Sequence, residues 1–142
     1  MKKRNRNYYS IILGILITLN LSVATAESVY LRVDSSAAVV ALLNEAEAQF
    51  EAGESEQAAA LLERALRINP RNPILWHNLA GVRLQQEDWE RAASLAAKSN
   101  AIVVDDKWLR VRNWIVISLA CEGMGDAKCA QEAQRRARAL AG

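Results

Sequence analysis

Ala65-Leu66-Arg67-Ile68-Asn69-Pro70-Arg71-Asn72-Pro73, followed by Ile74-Leu75-Trp76-His77-Asn78-Leu79-Ala80, is the stretch on which the fold turns. Its first half closes a helix, because the residue before Pro70 is pushed out of the helical region. Asn72-Pro73 then opens another: an N-cap, followed by a proline at the first helical position, where a missing N–H costs nothing. Working outward, the same landmarks recur. Gly53, Ala58, Ala65 and Pro70 reappear 34 residues on as Glu87, Ala92, Ser99 and Val104. Trp76, Asp88 and Ala92 reappear 38 residues on as Trp114, Asp126 and Ala130. Small residues at matching places let antiparallel helices approach closely, and a period of this length marks stacked helical hairpins. Asp88 and Asp126 stand where second helices need caps. The spacing predicts six helices, at about 36–52, 55–69, 73–86, 89–102, 107–124 and 127–141.

Composition agrees with an all-α chain. The 142 residues suffice for one domain, and 51% hydrophobic content with 24% charged residues suits a packed, soluble core. Two prolines and six glycines leave little to interrupt helices. One histidine and two cysteines leave little material for a metal site, so no metal or cofactor is expected.

The opening Trp76-His77-Asn78-Leu79-Ala80, the midway Ala92 and the closing Ala65-Leu66-Arg67-Ile68-Asn69-Pro70 resemble the tetratricopeptide repeat family. The resemblance covers about residues 39 to 140. It implies an all-α solenoid of three helix–turn–helix repeats, at 39–72, 73–106 and 107–142, with six helices in all. The first repeat carries Leu42 where the family has tryptophan and Glu45 where it has leucine, and the second ends on Val104 instead of proline. Lys107 to Arg110 are extra residues expected to lengthen the third repeat's first helix by a turn, since Trp108, Val111, Ile115 and Leu119 continue one helical stripe. Gln131, Glu132, Gln134, Arg135, Arg136 and Arg138 give the last helix a polar face that could end the stack unaided.

In this family the working surface is the concave face, built from the first helix of each repeat. Its positions map to Val40, Leu43, Asn44, Glu47 and Phe50; to Ile74, His77, Asn78, Gly81 and Leu84; and to Arg112, Ile115, Val116, Leu119 and Glu122. A family subgroup grips the C-terminal carboxylates of chaperones with a clamp of lysine, asparagine, asparagine, lysine and arginine. Asn78 and Arg112 agree with that clamp; Leu43, Glu47 and Val116 do not. The resemblance therefore implies a peptide groove of another kind, formed by Leu43, Asn44, Glu47, Phe50, His77, Asn78, Leu84, Arg112, Ile115 and Leu119. Apolar side chains around amides suit an amphipathic helix or an extended peptide.

The N-terminus points to export. Lys2, Lys3, Arg4 and Arg6 precede an apolar run from Ile11 to Val23 and then Ala24-Thr25-Ala26, the layout of a signal peptide cleaved after Ala26. The alternative is an uncleaved inner-membrane anchor, with the domain facing outward and self-association as its main task. No cysteine stands near the cleavage point to carry a lipid. These four residues hold four of the 18 basic charges and residues 1–26 hold no acid, so the remainder carries 14 basic against 16 acidic residues. That balance leaves no footprint for nucleic acid. From Val39 to Asn72 there are six acids and three bases, while from Lys107 to Gly142 there are three acids and seven bases. Residues 27–38 lead into the repeats. There Val29, Leu31 and Val33 alternate with Tyr30 and Arg32, which reads either as frayed extended chain or as a strand that pairs with a partner or folds back into the groove.

No reading as an enzyme emerges. His77 has no serine or cysteine placed by the repeat to pair with it, Glu45, Glu47, Glu51, Glu54 and Glu56 spread around a helix and turn, and Gly123-Met124-Gly125 reads as a helix end rather than a phosphate loop. No small-molecule substrate is implied. Cys121 and Cys129 flank the Gly125-Asp126 turn and so face each other across a hairpin, as a disulfide in an exported protein or as two packed thiols. The expected protein is a periplasmic or secreted interaction module that scaffolds or assists an envelope assembly by binding a protein or peptide.

Overall fold

The computed structural model describes residues 37–142. The expected signal or anchor segment (1–26) and the alternating stretch up to residue 36 lie outside the described residues. Among those described there are six helices and no strand: α1 (residues 37–51), α2 (Ser55–Ile68), α3 (Pro73–Gln85), α4 (Trp89–Ile102), α5 (Lys107–Gly123) and α6 (Ala127–Ala141). None of them is long and apolar enough to cross a membrane.

Local chemistry sets most boundaries. Asn72 Oδ1 accepts from Ile74 N–H at 3.0 Å, with Pro73 leading α3. Asp126 Oδ1 accepts from Cys129 N–H at 3.0 Å. Asp88 departs from expectation: its side chain makes no capping bond, and its carboxylate lies 3.5 Å from Arg91. An exposed cation one turn away competes for the oxygen that would cap. Asp106 supplies a cap the repeat register did not mark, accepting from Leu109 N–H at 2.8 Å, and so starts the longer α5 at Lys107.

From α2 to α6 each helix packs on the next, and α3 also touches α5 across one repeat interval. The hairpins close on the small residues marked by the repeat, with Ala58 and Ala92 fully buried and Ala130 nearly so. One core cluster joins Leu42 and Ala46 of α1, Leu62 and Leu66 of α2 and Leu75 and Leu79 of α3. A second joins Ala80 and Ala96 to Val116, Ile117, Cys121 and Ala133. Stacking thus supplies the burial that one hairpin lacks.

The three intra-repeat turns use one backbone solution. Gly53 has φ +82° and Gly125 has φ +75°, while Glu87 at the equivalent place has φ +60°. A side chain in that left-handed region costs about 1–2 kcal/mol, part of which is offset because glycine frees the unfolded chain. Glu87→Gly is therefore expected to stabilise by about 0.5–1 kcal/mol, and Gly53→Ala to destabilise by about 1 kcal/mol. Thermal melts of the two variants should move in opposite directions. Movement in the same direction would contradict this account of the turns.

Cys121 in α5 and Cys129 in α6 are disulfide-bonded, with Cα atoms 5.7 Å apart. Closing a loop of about nine residues should contribute about 2.5 kcal/mol through the unfolded chain's entropy. Reduction should lower the melting temperature and increase hydrogen exchange mainly in residues 107–142, because solenoid stability is close to a sum of neighbour terms. Two alkylatable thiols per chain in protein isolated without reductant would refute the bond.

Candidate functional site

The first helices enclose a hollow of about 240 Å³. Helix α1 supplies Leu43, Glu47, Phe50 and Glu51, one above another at helical spacing. Helix α3 supplies His77, Asn78 and Gly81. Leu62, Val82 and Val116 form apolar wall behind them. Gly81 matters because a Cβ built there meets nothing within 4 Å, so its missing side chain is open space in the hollow. Five of the expected groove residues therefore meet: Leu43, Glu47, Phe50, His77 and Asn78.

The other five do not line this hollow. Asn44, Arg112 and Leu119 are exposed, and Leu84 packs against the second core cluster. Ile115, 47% exposed, borders a separate hollow of about 260 Å³ with Val111 of its own helix and Ala137 and Arg138 of α6. The outer face of the last hairpin thus includes an apolar depression beside its charged residues.

His77 is fixed from behind. Asn113 Nδ2 donates to Ser99 Oγ at 2.8 Å and to Asn100 Oδ1 at 3.0 Å, which turns its Oδ1 toward His77 Nδ1 at 2.7 Å. His77 Nδ1–H is then the donor, and Nε2 is left as an acceptor. Ser99 Oγ–H in turn donates to the Pro73 carbonyl at 2.8 Å. Burial holds the His77 imidazole below its ordinary value of 6.5; the Asn113 bond opposes this, and the nearby Arg112 charge adds to it. Burial favours the neutral ring, and the amide of Asn113, rather than a carboxylate, orients it, which is a positioning arrangement. Among the described residues no cluster of three or more His, Cys, Asp or Glu could hold a metal.

Sequence reasoning missed Asn113 and Glu51. Both carried a signal: Asn113 stands 38 residues after Leu75, so it occupies a core position of the repeat, and Glu51 lies one turn beyond Glu47 on the same face.

The tetratricopeptide-repeat family profile matches residues 49–114. The globular C-terminal domain of P. aeruginosa LpoP is 37% identical, with 70% of this chain and 94% of that domain covered and a TM-score of 0.69. This chain is a tetratricopeptide-repeat protein. The N-terminal domain of stress-induced protein-1 from C. elegans has a TM-score of 0.70 over 75% of this chain and 86% of that one, and at 16% identity it shows the shared repeat fold alone. No curated protein matches the chain. The three-hairpin solenoid thus follows the family's architecture, and tetratricopeptide-repeat domains are characteristically protein-interaction modules.

Proposed function

We propose that the chain is a non-enzymatic interaction module of the cell envelope, which receives a helix or extended peptide of a protein partner in the hollow between α1, α3 and α5. The observation that carries this reading is the hollow itself, where Leu43, Phe50, Val82 and Val116 offer apolar wall beside the hydrogen-bonding groups of His77 and Asn78. Apolar wall with a few polar groups is the make-up of a peptide-binding groove. The envelope location is supported by the basic, apolar and small-residue segments of residues 1–26 and by the Cys121–Cys129 bond, which suits an oxidising compartment. The mature chain is then expected to start at Glu27.

A photoreactive amino acid placed at Phe50 or at Gln131 tests the groove in cells that make the full chain. Phe50 should yield a discrete protein adduct that disappears when the hollow is filled by Gly81→Leu, and Gln131 on α6 should yield none. No adduct at Phe50, or the same adduct from both positions, would overturn the reading.

A further inference from the structure

We infer that the hollow selects a basic anchor, an arginine or lysine of the bound segment, whose aliphatic stem lies on the apolar wall and whose cationic head meets Glu47 and Glu51. This rests on the groove reading above and adds the chemistry of the partner.

The hollow is rich in acceptors and poor in donors. Glu47 and Glu51 line it from α1, and neither has a cationic partner among the described residues. They stand four residues apart on one helix face, a like-charge arrangement that disfavours the helix until a cation lies between them. From α3, His77 presents the acceptor Nε2, because its Nδ1–H is committed to Asn113. Asn78 is the one lining amide, and its side chain makes no hydrogen bond among the described residues. Behind this rim lie Leu43, Phe50, Leu62, Val82 and Val116, a surface for methylenes rather than for charge.

An acidic side chain would face two carboxylates, with Asn78 the one amide donor among the residues that line the hollow. A purely apolar side chain would fill the wall but leave the two carboxylates partly desolvated and unpaired. An arginine or lysine satisfies both halves, since its stem packs on apolar groups while its head stays at a polar rim. Arginine adds a planar fork that can bridge two carboxylates. Glu47 and Glu51 both come from α1 and Val116 from α5, so the cationic head belongs on the α1 side and the flanking apolar residues belong toward Val116. The partner segment is accordingly basic and amphipathic, with a large apolar residue beside the anchor.

A phage-displayed library of random dodecapeptides, selected on the purified full chain, tests this directly. Enriched peptides should carry arginine or lysine next to a large apolar residue. The affinity of a synthetic copy should fall at least about tenfold when that residue is replaced by citrulline or norleucine, and equally with Glu47→Gln combined with Glu51→Gln. Both variants are exposed substitutions, and unchanged melting would show that the fold is intact. Peptides that bind without a basic residue, yet lose binding with Gly81→Leu, would overturn the basic anchor and leave the groove standing. Peptides indifferent to Gly81→Leu, or no enrichment at all, would overturn the groove reading itself.

Discussion

Gly123→Ala should destabilise the protein by about 3 kcal/mol, although alanine ordinarily stabilises a helical position by up to about 1 kcal/mol over glycine. The reason is Trp89. A Cβ on Gly123 would come within 2.8 Å of the indole Cε3 and closer still to Cε2 and Cδ2. The contact is to the body of a ring, not to the end of a flexible chain, so either the indole leaves its place at the start of α4 or the end of α5 bends away. Gly81 provides the comparison. It too is helical, but its Cβ meets open space, so Gly81→Ala should stabilise by about 0.5–1 kcal/mol. Two alanine substitutions at helical glycines should therefore shift the denaturation midpoint in opposite directions. In a Trp89→Leu background the penalty at Gly123 should largely vanish, and the double-mutant cycle should show the coupling. A Gly123→Ala variant as stable as the parent would refute the close approach.

This contrast shows where the sequence was legible. Helix number, hairpin pairing and the close-contact alanines could be read because they depend on spacing: Ala58, Ala92 and Ala130 recur in register, and register is what the one-dimensional chain records. The local stops at Asn69-Pro70 and the starts at Asn72-Pro73 and Asp126 were legible for the same reason, each being a contact within a few residues. Asp88 was not, because whether its carboxylate caps the helix or turns to Arg91 is a competition between two neighbours of similar reach. The groove was half legible. Leu43, Glu47, Phe50, His77 and Asn78 converge, but the helical stripe of α5 turns Ile115 toward α6 and into the other hollow. The Gly123–Trp89 contact was invisible, because it is a tertiary approach between the end of α5 and the start of α4, and a repeat spacing does not record how closely two helices meet.

Asn113→Leu should cost about 3–4 kcal/mol, despite replacing a fully buried amide with an apolar side chain of the same branching. Leu75, 38 residues earlier, is itself fully buried, so the position accepts leucine on shape alone. What fails is hydrogen bonding. His77 Nδ1–H loses its acceptor, Ser99 Oγ loses a donor, and Asn100 Oδ1 loses its partner beside an Nδ2 that already has none. Each buried group left unpaired costs about 1–3 kcal/mol, less where relaxation or water can reach it. The titration of His77 separates this from a packing defect. The Asn113 bond opposes burial and raises the imidazole's pKa, so removing it should push that pKa further below 6.5. His77 is the one histidine in the chain, so a single imidazole C–H signal reports it. In the parent, the unfolded chain takes up the proton near 6.5 and the folded chain only at lower pH. The stability contribution of the neutral ring is therefore complete above about 6.5 and is lost as pH falls through the folded value. In the variant that loss should continue to lower pH before it levels off. A variant within about 0.5 kcal/mol of the parent, with an unshifted His77 titration, would show that the network neither stabilises the stack nor fixes the histidine facing the hollow.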